Sequence, residues 1–409
     1  LSASLNLNVS PSLAASMTDG LGYLTDYPYM CMEQTVSRFL PNLISLQALK
    51  LAGKSTSELQ NSLDEQVQPA LQRIISTQNG DGGWSLWPGA ESQPNTTAYV
   101  VIGLEEAKKA GYTFPEYVEE QAVTYLQNAL PTTFEGSPAW LNNQSAMMLY
   151  ALALAEKPEG GKASALYESR TNIDIFGKAL LMQAMQMDDN TDKRIQTLLS
   201  EINSAAAKSA TGTWWDEEEV DYYNWNTDVR TTAIVLNALI QVDPKNALIP
   251  DGIRWLMKHR EGSHWYSTQE TAWALMALTN WLTLSGEFNT NYQYAVGLNG
   301  ELQQSVQADS AHLSETTSLQ IGVEKMLTNQ ANTIVITRGE GEGVLYYTAG
   351  MEYSLPVKDI PALDQGMMVS EQFFRPDDLK TPLTEITRGE LVQVRLTLIA
   401  PESLHYVVV

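Results

Sequence analysis

Over residues 17–286, apolar side chains return at the spacing of one helix face, and a Gly/Trp-rich turn followed by a Thr-rich helix start comes round three times. Val229, Ala233, Leu236 and Ile240 form one such run, and Ala272, Leu275, Thr279 and Leu282 another. The repeated units are "DGGWSLWPGAESQPNTTAYVVIGLEEA" (81–107), "GTWWDEEEVDYYNWNTDVRTTAIVLNAL" (212–239) and "HWYSTQETAWALMAL" (264–278). One turn and one apolar helix cannot bury their own surface, so recurring copies must pack on one another. The expected architecture is mainly α: an α/α toroid of paired helices over 17–286. Thr96, Thr227 and Ser267 are the expected N-caps, and "STQE" (267–270) fits a capping box.

On either side of this stretch the period shifts to two. Residues 1–16 read as a strand lead-in. Beyond 286, "YAVGLNGELQQSVQ" (294–307) reads as strand, Asn-Gly turn and strand. "NTIVITRGEGEGVLYYTAG" (332–350) reads as a second hairpin with a Gly-rich loop. In "GELVQVRLTLIA" (389–400), Val392, Val394, Leu396 and Leu398 alternate to give one buried face. All-β, sandwich-type segments are expected over 287–362 and 363–409.

Lys plus Arg number 25 against 48 Asp plus Glu, a net charge of −23, so no basic field exists to attract nucleic acid. No apolar run approaches the roughly 18 residues of a membrane span. The chain starts at Leu1 without methionine and ends on "HYVVV", which reads as a piece cut from a longer protein. Cys31 is the single cysteine, so no internal disulfide holds the fold.

Cys31 stands in "YPYMCMEQTVSRF" (27–39), three residues before Gln34. With Pro28 able to begin a helix, the two share a face of its first turn, and the sulfur can approach the Gln34 side-chain carbonyl. A helix N-terminus favours a thiolate and offers N–H groups to an oxyanion. Displacement of the amide nitrogen would leave an internal thioester, which must be kept from water. Tyr27, Tyr29, Met30 and Met32 supply bulk around it. Equally, a cysteine on a helix can be a small buried hydrophobe, and spacing alone leaves both readings open.

"PYMCMEQ", joined to a helical domain carrying "QNGDGGWSLWPG", resembles the thioester domain of the alpha-2-macroglobulin and complement family. That resemblance covers about two thirds of the chain. It implies a thioester between Cys31 and Gln34, with Glu33 as the motif glutamate and Trp84 and Trp87 beside it. It also implies CUB-like segments at 1–16 and 287–362, and the start of a macroglobulin-type β-sandwich at 363–409. The animal proteins carry glycine before the cysteine and often after it, where this chain has Met30 and Met32. A single cysteine forbids the disulfides of the animal domain, so the bacterial, exported branch is the better match. The resemblance implies a periplasmic or extracellular location, and membrane anchoring through a lipoprotein signal upstream of this piece is compatible with it.

In some complement relatives a histidine little more than a hundred residues past the thioester turns acyl transfer toward hydroxyls. The window "PTTFEGSPAWLNNQSAMM" (131–148) has none. The resemblance therefore implies amine targets: a lysine of an attacking protease, trapped covalently once a bait elsewhere in the full-length protein is cut. Such a protein acts once and is no enzyme, needs no cofactor, and works with the other domains of its own chain.

Two other readings use the same architecture. "DDNTD" (188–192) has the spacing with which prenyl-diphosphate enzymes hold magnesium, and terpenoid cyclases share both toroid and Asp-Gly-Gly-Trp turn. Against this, Asn190 or Thr191 can cap the helix "KRIQTLLSEI", with the acids favouring its N-terminus. A carbohydrate-binding toroid would also be Trp-rich, although Trp84, Trp87, Trp214, Trp215, Trp265 and Trp273 suit the packing of helix ends. "DEEEVD" (216–221) reads as a solvated acidic loop. His259 and His264 lack a third ligand, so no metal is expected.

Overall fold

Helices whose apolar residues surround the axis must be buried on every side, whereas those with a single apolar stripe belong at a surface, and the chain alternates between the two. A computed structural model describes residues 3–51, 57–217, 221–313, 315–354 and 368–399. The helices are α1 (Ala14–Asp26), α2 (Met32–Leu51), α3 (Ser57–Thr77), α4 (Pro94–Lys109), α5 (Glu116–Ala129) and α6 (Ala139–Leu154), followed by α7 (Gly160–Glu168), α8 (Ile175–Asp188), α9 (Arg194–Ser204), α10 (Asp228–Val242), α11 (Ile249–Lys258) and α12 (Thr268–Leu284). In α12 every residue from Thr268 to Thr279 is buried, and α4, α6, α8 and α10 are nearly as enclosed. By contrast, α9 buries Ile195, Leu198, Leu199 and Ile202, one helical stripe, and α5 buries Val118, Ala122, Val123 and Leu126. The enclosed helices pack in succession, α2 on α4, then α6, α8, α10 and α12, and α12 packs on α2.

The threefold sequence unit is a structural device. Trp84, Trp215 and Trp265 are fully buried. Their indole N–H groups donate to the carbonyls of Ile74 (2.8 Å), Ile202 (2.7 Å) and Leu256 (2.9 Å), near the ends of α3, α9 and α11. Their backbone N–H groups donate to the hydroxyls of Thr97 (2.9 Å), Thr232 (3.2 Å) and Thr271 (3.1 Å), in the first turns of α4, α10 and α12. Each tryptophan thus ties the end of a striped helix to the start of an enclosed one. Gly82, at φ +90°, has its backbone against the Gln121 carbonyl, and a Cβ on Gly83 would press on Ser92 and Tyr125, so this tight turn explains both glycines of Asp-Gly-Gly-Trp.

Thr227 and Ser267 are N-caps as expected, accepting from the N–H groups of Arg230 (3.2 Å) and Glu270 (3.1 Å). Glu270 completes a variant of the box by accepting from Tyr266 N–H (3.1 Å), one residue earlier than the usual partner. Thr96 is not a cap. Pro94 opens α4 with Gln93 before it, because proline's missing N–H and fixed φ suit the first helical position.

The strands are β1 (Ala3–Ser10), β2 (Ala207–Ser209), β3 (Gly212–Trp214), β4 (Asn291–Leu298), β5 (Glu301–Asp309), β6 (Thr317–Gly322), β7 (Ile334–Arg338), β8 (Tyr346–Tyr353), β9 (Met368–Phe374) and β10 (Gln393–Ile399). The chain falls into two compact units. One comprises Leu1–Leu5, Ile321–Glu324 and Met351–Val409; the other comprises Asn6–Gln320 and Lys325–Gly350, and holds the twelve α-helices found among the described residues. Sheet orders are β6–β1–β8, β5–β4–β7, β2–β3 and β10–β9. Asn299 (φ +52°) and Gly300 (φ +85°) make the expected turn between β4 and β5. In the larger unit, Leu7 and Val9 of β1 and Tyr292, Tyr294 and Val296 of β4 share a small apolar cluster.

The second expected hairpin does not form. β7 pairs with β4, while β8 joins β1, and the Gly-rich loop carries the chain from one sheet to the other. Arg338 pins that loop, donating to the carbonyls of Gly339, Gly341 and Gly343. Val394, Leu396 and Leu398 of β10 are exposed rather than buried, since among the described residues β10 has only β9 beside it. Residues 355–367 and 400–409, where the expected boundary at 362/363 and the chain end fall, lie outside the described residues.

Candidate functional site at the start of helix α2

Cys31 precedes α2 instead of lying in its first turn, and Pro28 sits in the connection from α1. The Cys31 carbonyl accepts the first helical bond, from Thr35 N–H (2.9 Å), so Cys31 is the N-cap and Gln34 the third helical residue. Gln34 Oε1 accepts from Cys31 N–H at 3.0 Å. That is the returning half of a capping box, with a thiol where serine or threonine usually stands. The backbone N–H groups of Gln34 and Glu33 favour the charged form of the sulfur. Cys31 is buried, and its Sγ donates toward Glu33 Oε2 at 3.9 Å.

Burial pushes the Cys31 thiol above its ordinary pKa, with the Glu33 charge adding to it; the two backbone N–H groups and Arg73 oppose but do not win. The helix-dipole expectation of a ready thiolate is therefore corrected, because desolvation outweighs the dipole here. The thiol is the resting protonation state.

Three neighbouring segments frame this turn. Leu86 of the Asp-Gly-Gly-Trp loop accepts from Met32 N–H (2.9 Å), and Arg73 of α3 donates to the Met30 carbonyl (2.7 Å). From α12, Thr268 and Gln269 reach Glu33. Tyr27 stands edge-on to both Tyr23 (5.6 Å) and Tyr29 (5.9 Å), and Tyr23 stacks on His264 at 3.7 Å. Met32 is buried in the core, while Tyr29, Met30 and Trp87 are exposed. Trp84 is a core residue held by Ile74 and Thr97.

Sequence reasoning did not pick out Arg73, Thr268, Gln269 or Ser37, whose hydroxyl donates to Glu33 Oε1 at 2.6 Å, and it weighed His264 only as a metal ligand. Ser37 carried one available signal, four residues after Glu33 and so on the same helix face. Thr268 and Gln269 lay in the third repeat, where "STQE" was read for capping alone.

Four acids of the two acidic stretches have structural partners. Asp189 accepts from Thr191 N–H and Oγ1, and Asp192 is chelated by Arg194, whose N–H it also accepts, so Asp192 does the capping work expected of Asn190 or Thr191. Asp221 is buried against Asn143 and Asn224, and Glu217 accepts from the N–H groups of Ile175 and Phe176. Glu217 and Asp221 of the expected solvated loop are thus structural, while 218–220 lie outside the described residues. No cluster of metal-ligating side chains occurs among the described residues.

The family model described as "A-macroglobulin TED domain" matches residues 3–129 and 162–281. An alpha-2-macroglobulin homolog of Yersinia pestis is 24% identical over 393 residues, covering 93% of this chain and 18% of the relative. The alpha-2-macroglobulin of Escherichia coli (strain K12) is 26% identical over 307 residues, covering 71% of this chain and 18% of its own length. The crystal structure of Salmonella alpha-2-macroglobulin reacted with methylamine shares the fold, with a TM-score of 0.58 at 19% identity over 97% of this chain and 25% of that one. The chain thus spans under a fifth of the length of these two relatives. With the family model covering more than half of it, the chain belongs to the alpha-2-macroglobulin/complement thioester-protein family, in its bacterial branch, and includes the TED domain region.

Proposed function

We propose that Cys31 and Gln34 are the partners of an internal thioester, and that this piece is the reactive part of a protease trap. The observation that carries the reading is the 3.0 Å bond from Cys31 N–H to Gln34 Oε1, which folds the carboxamide back over the residue that bears the thiol. Attack of Sγ on Gln34 Cδ expels ammonia and closes the ring. The Cys31 N–H that holds Gln34 Oε1 would stabilise the oxyanion that develops on that atom. Glu33 belongs to the buried framework of the site, Met32 packs beneath it, and Tyr27, Tyr29, Met30 and Trp87 lie on its open side. Trp84 supports it from the core.

In the full-length protein, cleavage of a bait segment exposes the bond. A lysine amine of the protease then attacks Gln34 Cδ and releases the Cys31 thiol, leaving the protease covalently held. The protein is a single-use inhibitor and not a catalyst, exported to the periplasm or beyond, with other domains of its own chain as further partners. The succession of enclosed helices from α2 round to α12 supports an α/α toroid over 17–286. The two sheets sharing Leu7, Val9 and Tyr294 support a CUB-like, sandwich-type region over 1–16 and 287–362, with a macroglobulin-type domain starting at 363.

Intact mass tests the reading. The full-length protein should be lighter than its sequence by about 17 Da, the ammonia lost on closure, and methylamine should add its mass and free one thiol. A titratable thiol in untreated protein with no methylamine uptake would remove the basis of the trap.

A further inference from the structure

Glu33 is buried, yet its two oxygens are served unequally. Oε1 accepts from Ser37 Oγ (2.6 Å), Thr268 Oγ1 (3.0 Å) and Gln269 Nε2 (3.0 Å). Oε2 accepts from the same Thr268 hydroxyl (3.0 Å) and otherwise faces the Cys31 sulfur. Gln269 cannot turn over: its Oε1 accepts from Arg230 Nε (3.1 Å) and Trp273 Nε1 (3.2 Å), both of which can only donate, so its Nε2 is committed to Glu33. Arg230 is wholly buried, lying near the rings of Phe176 (5.4 Å) and Trp273 (5.6 Å). Burial lowers its pKa to about 10, which leaves it charged at neutral pH. An interior cation of this kind is costly unless its charge is matched or used. A hydrogen-bonded line therefore runs from Arg230 on α10, through Gln269 on α12, to Glu33 on α2 and the thiol before it.

We propose that Glu33 is the proton shuttle of the acyl chemistry at Gln34, and that Gln269, oriented by Arg230, is the residue that positions it. The inference rests on the thioester reading. In closure, Sγ bonds to Gln34 Cδ as the thiol proton passes to Glu33 Oε2. The same proton then moves to Gln34 Nε2 as the Cδ–N bond breaks, and ammonia leaves. In trapping, an amine nitrogen bonds to Cδ and yields its proton to Oε2, the Cδ–Sγ bond breaks, and the departing sulfur takes that proton. These are one reaction run in opposite directions with a different amine, so a single base serves both. Oε1 takes three donors, and Oε2, with one, is the oxygen that faces the sulfur. Its 3.9 Å reach to the sulfur is of the long kind that tightens as a reaction proceeds.

The test follows thiol release by methylamine from the full-length protein, with rates expressed per unprotonated amine from about pH 4 to about pH 8. Titratable groups facing Glu33 are Tyr23 on α1, Tyr99 on α4, Arg230 on α10 and Cys31 itself, with Arg73 of α3 facing the sulfur. Burial holds both tyrosines above their ordinary range and leaves Arg230 charged, and His264, stacked on Tyr23, is common to wild type and variants, so an acid-side fall that Glu33→Gln abolishes is the signature of the shuttle. The wild-type rate should be level at high pH and drop in acid. Glu33→Gln should be about 100-fold slower or more and show no drop. Gln269→Leu should be about tenfold slower while keeping the acid-side fall that Glu33→Gln abolishes. A folded Glu33→Gln protein that lacks the ammonia deficit also supports the shuttle, since closure needs it too. Should Glu33→Gln not fold, Gln269→Leu decides. Either variant, folded and reacting at the wild-type rate with the wild-type acid drop, overturns the shuttle alone, whereas a wild-type protein that takes up no methylamine sinks the thioester itself.

Discussion

Replacing Glu217 by glutamine should flatten part of the pH dependence of folding. Glu217 closes the N-terminus of α8 from the loop before α10: Oε2 accepts from Ile175 N–H (3.3 Å), and Oε1 from Phe176 N–H (3.2 Å) and Thr231 Oγ1 (2.8 Å). Asp174, the formal N-cap residue of α8, makes no side-chain capping bond to it. Burial raises the Glu217 carboxyl from 4.5 to about 7, the nearby Asp174 adds to the rise, and the three donors only partly offset it. Because the folded-state pKa lies above the unfolded one, the folded chain binds this proton more tightly. The resulting stabilisation is full below about pH 4.5 and is lost as pH rises through about 7. At about 1.4 kcal/mol per unit, the swing is roughly 3 kcal/mol. Glutamine keeps an acceptor oxygen for one N–H and does not titrate. Urea midpoints at about pH 4 and about pH 8 should therefore show the variant gaining roughly 3 kcal/mol on wild type at the higher pH. Glu105, raised to about 7 by burial and the neighbouring Glu119, titrates in the same window but is common to both proteins and cancels in the difference. Two parallel stability curves would refute the assignment of a buried, proton-binding Glu217.

Three further outcomes follow from the same geometry. Thr232→Val removes the acceptor for Trp215 N–H and should cost about 1–3 kcal/mol in urea unfolding, with Thr97→Val and Thr271→Val costing similar amounts; a wild-type midpoint in all three would mean the Trp–Thr clasp holds nothing. Gly82→Ala forces a positive φ on alanine and drives its Cβ into the Gln121 carbonyl, so a loss of about 2 kcal/mol or more is expected, and a variant as stable as wild type would show that the turn can relax. Cys31→Ser keeps a capping side chain before α2 and should unfold within about 1 kcal/mol of wild type while taking up no methylamine; uptake by the serine variant would place the reactive bond elsewhere.

What the sequence made legible was whatever is local and periodic. The helical stretch, the caps at Thr227 and Ser267, the Asn299-Gly300 turn and the threefold tryptophan unit each depend on residues a few positions apart. The pairing of β7 with β4 could not be read this way, because a flexible Gly-rich loop fits a hairpin and a crossing between sheets equally well. The same limit applies around Cys31. Its link to Gln34 spans three residues, but Glu33 meets Thr268 and Gln269 across more than two hundred, and Arg230 of a third helix hydrogen-bonds to Gln269. Alternation in β10 correctly marked a strand, yet whether its apolar side is covered depends on a second layer that alternation does not encode.

The capping geometry also bears on the two methionines that set this motif apart from its animal relatives. Glycine is needed before a cysteine only where the backbone takes a left-handed turn or a side chain would collide. Met30 is not among the residues with positive φ, its side chain faces solvent, and the site uses only its carbonyl, which accepts from Arg73. Met32 is the first helical residue: its N–H goes to Leu86, and its side chain packs into the core with Val36 and Phe39. Neither methionine side chain has to enter the ring formed by the Cys31 N–H, the Gln34 carboxamide and the sulfur. That ring depends on an N-cap residue with a short side chain and a glutamine three positions later, which is what any helix start offers. The specialised part is the surrounding burial, which holds the thiol protonated and sets Glu33 beside it.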